Sequence, residues 1–164
     1  MGLIGGPFQH AHTSTLWKKS EYLEWDFGST KNEKTFYVDA QILNGLSDDA
    51  NTKKYAWLLE SRKIVPGLVD FIIQNLDIVL KTYEAIFTHN KRLLSLDDKF
   101  KWTPAYGLYI QEPKIYEKTK ILSMITSNKT MTKNHEFRNH LAEIWKNRLD
   151  LYGRGYNEIE SKEE

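Results

Sequence analysis

The sequence predicts an α/β fold in which helices flank a mostly parallel sheet. Short runs rich in β-branched and aromatic residues alternate with helical stretches, the pattern of βαβ units. From Leu68 to Tyr83 the apolar residues Leu68, Val69, Ile72, Ile73, Leu76, Val79 and Leu80 fall at helical spacing and mark one wide buried face. Polar clusters follow three of the expected strands: Glu60, Ser127-Asn128-Lys129 and Gly153-Arg154-Gly155. In parallel sheets ligands bind beyond the carboxyl ends of strands, so these clusters are the first places to look for chemistry.

Taken in order, residues 1–34 give no clear element: Gly5-Gly6-Pro7 breaks the chain, and Trp17, Tyr22, Trp25 and Phe27 stand among charges. Thr35 to Ile42 reads as a strand and residues 44–53 as a polar loop. Tyr55 to Leu59 is a short apolar run, a buried strand ending at Glu60. Pro66 suits the first turn of the helix at 68–83, where its missing N–H costs nothing. Ala85 to Thr88 reads as a strand, Lys91 to Leu96 as a short helix, and Phe100 to Ile110 as two extended pieces around Pro104 and Gly107. Pro113 to Lys120 is a connector. Ile121 to Thr126 reads as a buried strand, closed by the turn at 127–129. The clearest helix is His135 to Arg148, with Phe137, Leu141, Ile144, Trp145 and Arg148 on one side. Leu149 to Tyr152 is a last strand, after which the chain stops at a charged tail, one βαβ into what reads as a second sheet.

Composition narrows the function classes. With 164 residues the chain has room for one domain of the usual about 100–200, or for one and part of another. Lys and Arg number 23 against 22 Asp and Glu, so the basic excess of a dedicated nucleic-acid binder is missing. Cysteine is absent, which rules out a disulfide framework, a thiol nucleophile and a thiolate zinc site. No stretch reaches the about 18–20 apolar residues of a membrane span; Val65 to Leu80 is interrupted by Asp70, Gln74, Asn75 and Asp77. No basic and then apolar N-terminal segment reads as a signal peptide, and Gly6 stands where a myristoylation start needs Ser or Thr. The expected location is the cytoplasm.

Glu60 is the first candidate. A carboxylate at the end of a buried strand loses water and becomes a better general base near neutral pH, although pairing with Arg62 or Lys63 explains the same letters. Ser127-Asn128-Lys129 precedes a helix bearing Arg138 near its start, and free N–H groups with a guanidinium fork suit a phosphate. A turn plus a surface arginine is the plainer reading. Gly153-Arg154-Gly155-Tyr156 meets no nucleotide motif and reads as a turn. His10 and His12 share a face if extended, yet no third metal ligand accompanies them, and His135 and His140 do not form HExxH.

YAWLLES at 55–61, YEAIFTHNKRLL at 83–94, KILSMITSNK at 120–129, HEFRNHL at 135–141 and LDLYGRGYN at 149–157 resemble, in order and spacing, the family 10 glycosyltransferases, the α-1,3-fucosyltransferase-like enzymes. The likeness is to bacterial and phage-type members, covers most of the chain and is strongest over 120–157; residues 3–25, with GGPFQHAH and LWKKSEYLEW, resemble their N-terminal region. The resemblance implies two Rossmann-like domains in the GT-B arrangement, facing each other across a cleft. Residues 1–115 would be the acceptor-side domain and 116–164 the start of the nucleotide-sugar domain. It implies an inverting transfer from a nucleotide sugar, GDP-fucose in characterised members, to a glycan hydroxyl, without a DxD-bound metal or other cofactor. Glu60 resembles the acidic residue proposed as general base in that family. Arg138 resembles the arginine on the diphosphate, with Ser127 and Asn128 shaping the adjoining loop.

The sequence departs from the family pattern at one point: the Glu-Asn pair, Tyr and Thr-Glu-Lys segment that grip the nucleotide do not occur in it. The expectation is therefore that these 164 residues alone turn over no sugar nucleotide. The alternative is a non-catalytic carbohydrate-binding or interaction α/β domain. A third reading, a single-strand nucleic-acid binder using aromatics with Lys and Arg, is opposed by the charge balance.

Overall fold

The computed structural model describes residues 1–6, 22–104 and 114–159. The chain divides into two compact units, Met1–Leu108 and Tyr109–Glu164. His10, His12 and Trp17, the second extended piece expected before Ile110, and the end of the charged tail lie outside the described residues.

In the first unit six strands form one parallel sheet: β1 (Gly2–Ile4), β2 (Asp26–Phe27), β3 (Lys34–Val38), β4 (Lys53–Leu58), β5 (Ala85–Thr88) and β6 (Phe100–Trp102). Their order is β2-β1-β3-β4-β5-β6, and every pairing is parallel. The α/β class and the mostly parallel sheet expected from the sequence are therefore present. The chain steps one way from β1 to β2 and the other way from β3 onward. That places the reversal of strand order, where parallel sheets open a crevice, between β1 and β3.

Alternation along the strands sends two sets of side chains to opposite faces. Tyr37, Ala56, Leu58 and Ile86 are buried against the helices, in one cluster with Ile42, Leu68, Val69, Ile72, Val79, Tyr83 and Leu93. The other face carries aromatics: Phe36 stacks on Tyr55 at 4.9 Å and on Phe87 at 5.9 Å, and Trp25 meets Phe36 edge-on at 5.3 Å. Trp25, Phe36, Tyr55, Trp57 and Phe87 thus clad one face of the sheet, where large flat rings bury area with few rotatable bonds.

Three expectations about helices and strands need correcting. The strand expected to reach Ile42 ends at Val38, and the segment expected to be a loop contains helix α1 (Gln41–Ser47). Asn44-Gly45 resembles a turn in sequence, but Gly45 is buried in the helix because the rings of Tyr37 and Tyr83 lie against it. The single helix expected over 68–83 is two, α2 (Leu68–Gln74) and α3 (Leu76–Thr82). Asn75 separates them: both its backbone N–H and its side-chain Nδ2 donate to Phe71 O at 2.9 Å, while its own carbonyl accepts from Val79 N. The buried stripe survives the break, since Leu68, Val69, Ile72 and Val79 all enter the core. The short helix α4 (Lys91–Leu94) is capped by Asn90, whose Oδ1 accepts from Arg92 N and Leu93 N.

The second unit contains β7 (Ser123–Ile125), helix α5 (Lys133–Trp145) and β8 (Asp150–Tyr152), with β7 and β8 paired in parallel. The strand expected to be buried is not: Ile121, Leu122 and Ile125 are exposed. Nor does α5 bury the expected side, for Phe137, Ile144 and Trp145 are exposed and Ala142 is buried. Polar bonds set its orientation. Arg138 and Asn139 reach the loop after β7, and residues 135, 138, 139 and 142 share one face at helical spacing. Among the described residues no helix is long and apolar enough to cross a membrane.

Three polar side chains hold α1 in place. Tyr83 Oη donates to Ile42 O at 2.5 Å, and Tyr37 Oη donates to Asp48 Oδ2 at 2.5 Å. Lys54 Nζ donates to the carbonyls of Gly45 and Asp48. A Cβ at Gly45 would collide with Tyr83 Oη and the Tyr37 ring. Gly45→Ala should therefore lower stability by about 1–3 kcal/mol in urea denaturation, although alanine gains about 1 kcal/mol in an unhindered helix. The Tyr37 hydroxyl, then the Ala50 N–H and Lys54, hold the Asp48 carboxyl below its ordinary value. Its contribution is present above the unfolded carboxylate range and is lost as pH falls through the depressed value. Asp48→Asn should flatten the acid limb of stability, measured by denaturation between about pH 5 and 2.

Candidate functional site

Parallel pairing brings the carboxyl ends of β3, β4 and β5 to one edge of the sheet, since Val38 pairs with Trp57 and Leu58 with Thr88. The first titratable residues past those ends are Asp39, Glu60 and His89. The three are half-buried. Asp39 has φ 50°, the left-handed region that Asp and Asn enter more readily than other side chains. Its N–H donates to Trp57 O at 3.0 Å, and its Oδ1 accepts from Leu59 N at 2.9 Å and Glu60 N at 3.0 Å. One side chain therefore pins the chain where it leaves β4, and Glu60 leaves the sheet from a fixed peptide. Burial raises the Asp39 carboxyl above its ordinary value and the Glu60 charge raises it further; the two N–H donors and the His89 imidazole pull the other way.

His89 follows Thr88, whose buried hydroxyl accepts from Asn90 N at 3.1 Å. The His89 Nδ1 atom is buried and makes no hydrogen bond among the described residues. Beyond Glu60 the surface opens into a depression of about 390 Å³ lined by Arg62, Lys63, Pro66, Gly67 and Asp70. Arg62 is committed there, since its Nη2 donates to both Asp70 oxygens at 2.9 and 2.7 Å. The pairing of Glu60 with Arg62 considered from sequence thus meets a competitor in Asp70.

In the second unit Ser127 lies just beyond β7, and Arg138 sits in the second turn of α5. Arg138 Nη2 donates to Ser127 O at 3.3 Å and Ser127 Oγ at 3.4 Å, both long, and its buried Nε makes no hydrogen bond among the described residues. Asn139 ties the same loop, donating through Nδ2 to Lys129 O at 3.0 Å. Thr132 caps α5 by accepting from His135 N at 3.2 Å. Asn128 is exposed. The guanidinium therefore makes only long bonds to the loop after β7, and Glu136 in the first helical turn opposes an anion at that helix end.

Gly153 begins the turn after β8 with φ 104°, and a Cβ there would collide with the Thr126 carbonyl. The glycine expected to mark a plain turn is thus required by the close approach of two strand ends.

The sequence picked out Glu60, Ser127, Asn128 and Arg138, and each lies at or near the carboxyl end of a parallel strand. It missed Asp39 and His89. Asp39 was hidden inside a strand drawn four residues too long, and His89 lacked a nearby motif. Both would have been found by taking the first titratable residue after each apolar strand. Among the described residues no three His, Asp or Glu side chains converge to hold a metal ion. No protein-family model matches the chain, and no curated protein or solved structure matches it.

Gly153→Ala should loosen the β7–β8 ends. Thr126 N donates to Tyr152 O at 2.9 Å, so its amide should exchange at least about tenfold faster, a change hydrogen-exchange NMR would read directly.

Proposed function

We propose that this chain is the N-terminal part of an inverting glycosyltransferase of the family 10 type, in which a nucleotide sugar, GDP-fucose or a relative, gives its sugar to a glycan hydroxyl. The reading places residues 1–115 on the acceptor side of a GT-B enzyme and residues 116–164 at the start of its donor domain, working in the cytoplasm. The observation that carries it is the position of Glu60, two residues past the carboxyl end of β4, on a peptide pinned by Asp39.

The chemistry is what the resemblance implies for a carboxylate in that position. Glu60 accepts the proton of the acceptor hydroxyl as its oxygen attacks the anomeric carbon from the side opposite the diphosphate. The new C–O bond forms as the bond from that carbon to the phosphate oxygen breaks, which inverts the centre. Negative charge grows on the departing nucleoside diphosphate, and Arg138 offsets it with the donors that its long bonds to Ser127 leave available. Ser127 and Asn128 shape the loop against which the phosphates rest.

A second reading is a carbohydrate-binding or interaction domain without catalysis. It is favoured by the exposed apolar residues Ile121, Ile125, Phe137 and Ile144 of the second unit, which suit a partner surface.

Calorimetric titration of the chain with GDP separates the two. The expected outcome is weak binding that falls at least about tenfold in Arg138→Ala, the loss of one charge-assisted contact, and is unchanged in Glu60→Gln. Glycan binding with no GDP binding would overturn the enzymatic reading in favour of the second.

A further inference from the structure

We propose that Asp39 is a positioning residue for Glu60, and that Asp39, Glu60 and His89 act as one electrostatically coupled cluster at the carboxyl edge of the sheet. The proposal rests on reading Glu60 as the general base, and it assigns roles to two residues that the sequence did not single out.

The geometry has three parts. Asp39 occupies a left-handed backbone conformation at the end of β3, a conformation kept only where the surroundings enforce it. What it gains there is a bridge between strands: Oδ1 takes the N–H groups of both Leu59 and Glu60, at 2.9 and 3.0 Å, while its own N–H binds Trp57 O. The peptide that carries Glu60 is therefore held by a side-chain oxygen from the neighbouring strand end. The parallel register brings His89, from the end of β5, to the same edge of the sheet as Asp39 and Glu60.

The groups that act on Asp39 come from both neighbouring strand ends. Glu60 adds a negative charge, and the His89 imidazole supplies a positive one when protonated. Burial favours the neutral acid, and the two N–H donors favour the anion. The cluster is therefore a balance of one acid against another with an imidazole between them in charge. A carboxylate serving purely as a strand-end staple would need neither neighbour.

The full chain allows a direct test by carboxyl-carbon NMR of Asp39. In the unmodified protein its titration midpoint should lie above the ordinary aspartate value. Glu60→Gln should lower that midpoint and His89→Gln should raise it, each by a shift that exceeds the error of the titration. Both substitutions leave the Asp39 backbone bonds in place, so a shift reports the neighbour's charge and not a lost hydrogen bond. A midpoint unmoved by either substitution overturns the cluster. The positioning role is read separately by amide exchange at Leu59 and Glu60. Asp39→Asn keeps an acceptor oxygen and tolerates the left-handed backbone, so protection should stay within about threefold, whereas Asp39→Ala should lose at least about tenfold. Unchanged exchange in Asp39→Ala overturns that role. These readouts need no nucleotide, so absent GDP binding would count against the glycosyltransferase reading while leaving the cluster intact.

Discussion

The carboxylate of Asp39 joins the ends of two strands, and much of the first unit is arranged so that it can. A parallel ladder alone fixes direction and spacing, bringing every strand's carboxyl end to one edge. It does not fix how the chain departs from that edge. Departure from β4 is set by a single oxygen receiving two N–H groups, which obliges residue 39 to turn left-handed immediately after Val38. That early turn ends β3 and lets α1 begin at Gln41, and α1 in turn brings Ile42 and Gly45 against the buried tyrosines.

The helix side of the sheet shows how a small core is given a unique arrangement. Tyr37 and Tyr83 are almost fully buried, and their hydroxyls end on Asp48 and the Ile42 carbonyl. A buried hydroxyl without a partner costs on the order of 1–3 kcal/mol, so these rings admit few alternative positions for α1. Gly45 is the corresponding space on the helix. The opposite face works differently, with stacked and edge-on rings and no comparable polar pins between Phe36, Tyr55 and Phe87. One face specifies position and the other supplies area.

The second unit inverts the usual relation between helix and sheet. A two-stranded sheet is narrow, and α5 meets the loop after β7 through Arg138 and Asn139 while Phe137 and Ile144 face outward. Hydrogen bonds, not apolar burial, orient the helix. This is why the apolar spacing read along 135–148 pointed to the wrong side: periodicity reports which residues could share a face, and the partner decides which face is covered. The same orientation places the guanidinium over Ser127.

Most elements were legible because their signals are local. The apolar run 55–59, the β-rich segment 85–88 and the apolar stripe through 68–80 each predict structure from neighbours in sequence, and the mostly parallel α/β class follows from their alternation. So did the positions of Glu60 and Ser127 past strand ends. The rest required contacts between residues distant in sequence. Asn44-Gly45 is a turn by propensity and a helix by virtue of Tyr83, some forty residues later; Asn75 divides one apolar stripe into two helices without changing what it buries. Asp39 and His89 become neighbours of Glu60 because parallel register aligns three strand ends, and no spacing along the chain records that register. The sequence alone determined which segments form strands and helices, and where polar groups follow them. The tertiary structure decided which of those groups meet, because meeting depends on hydrogen bonds and ring packing across the sheet.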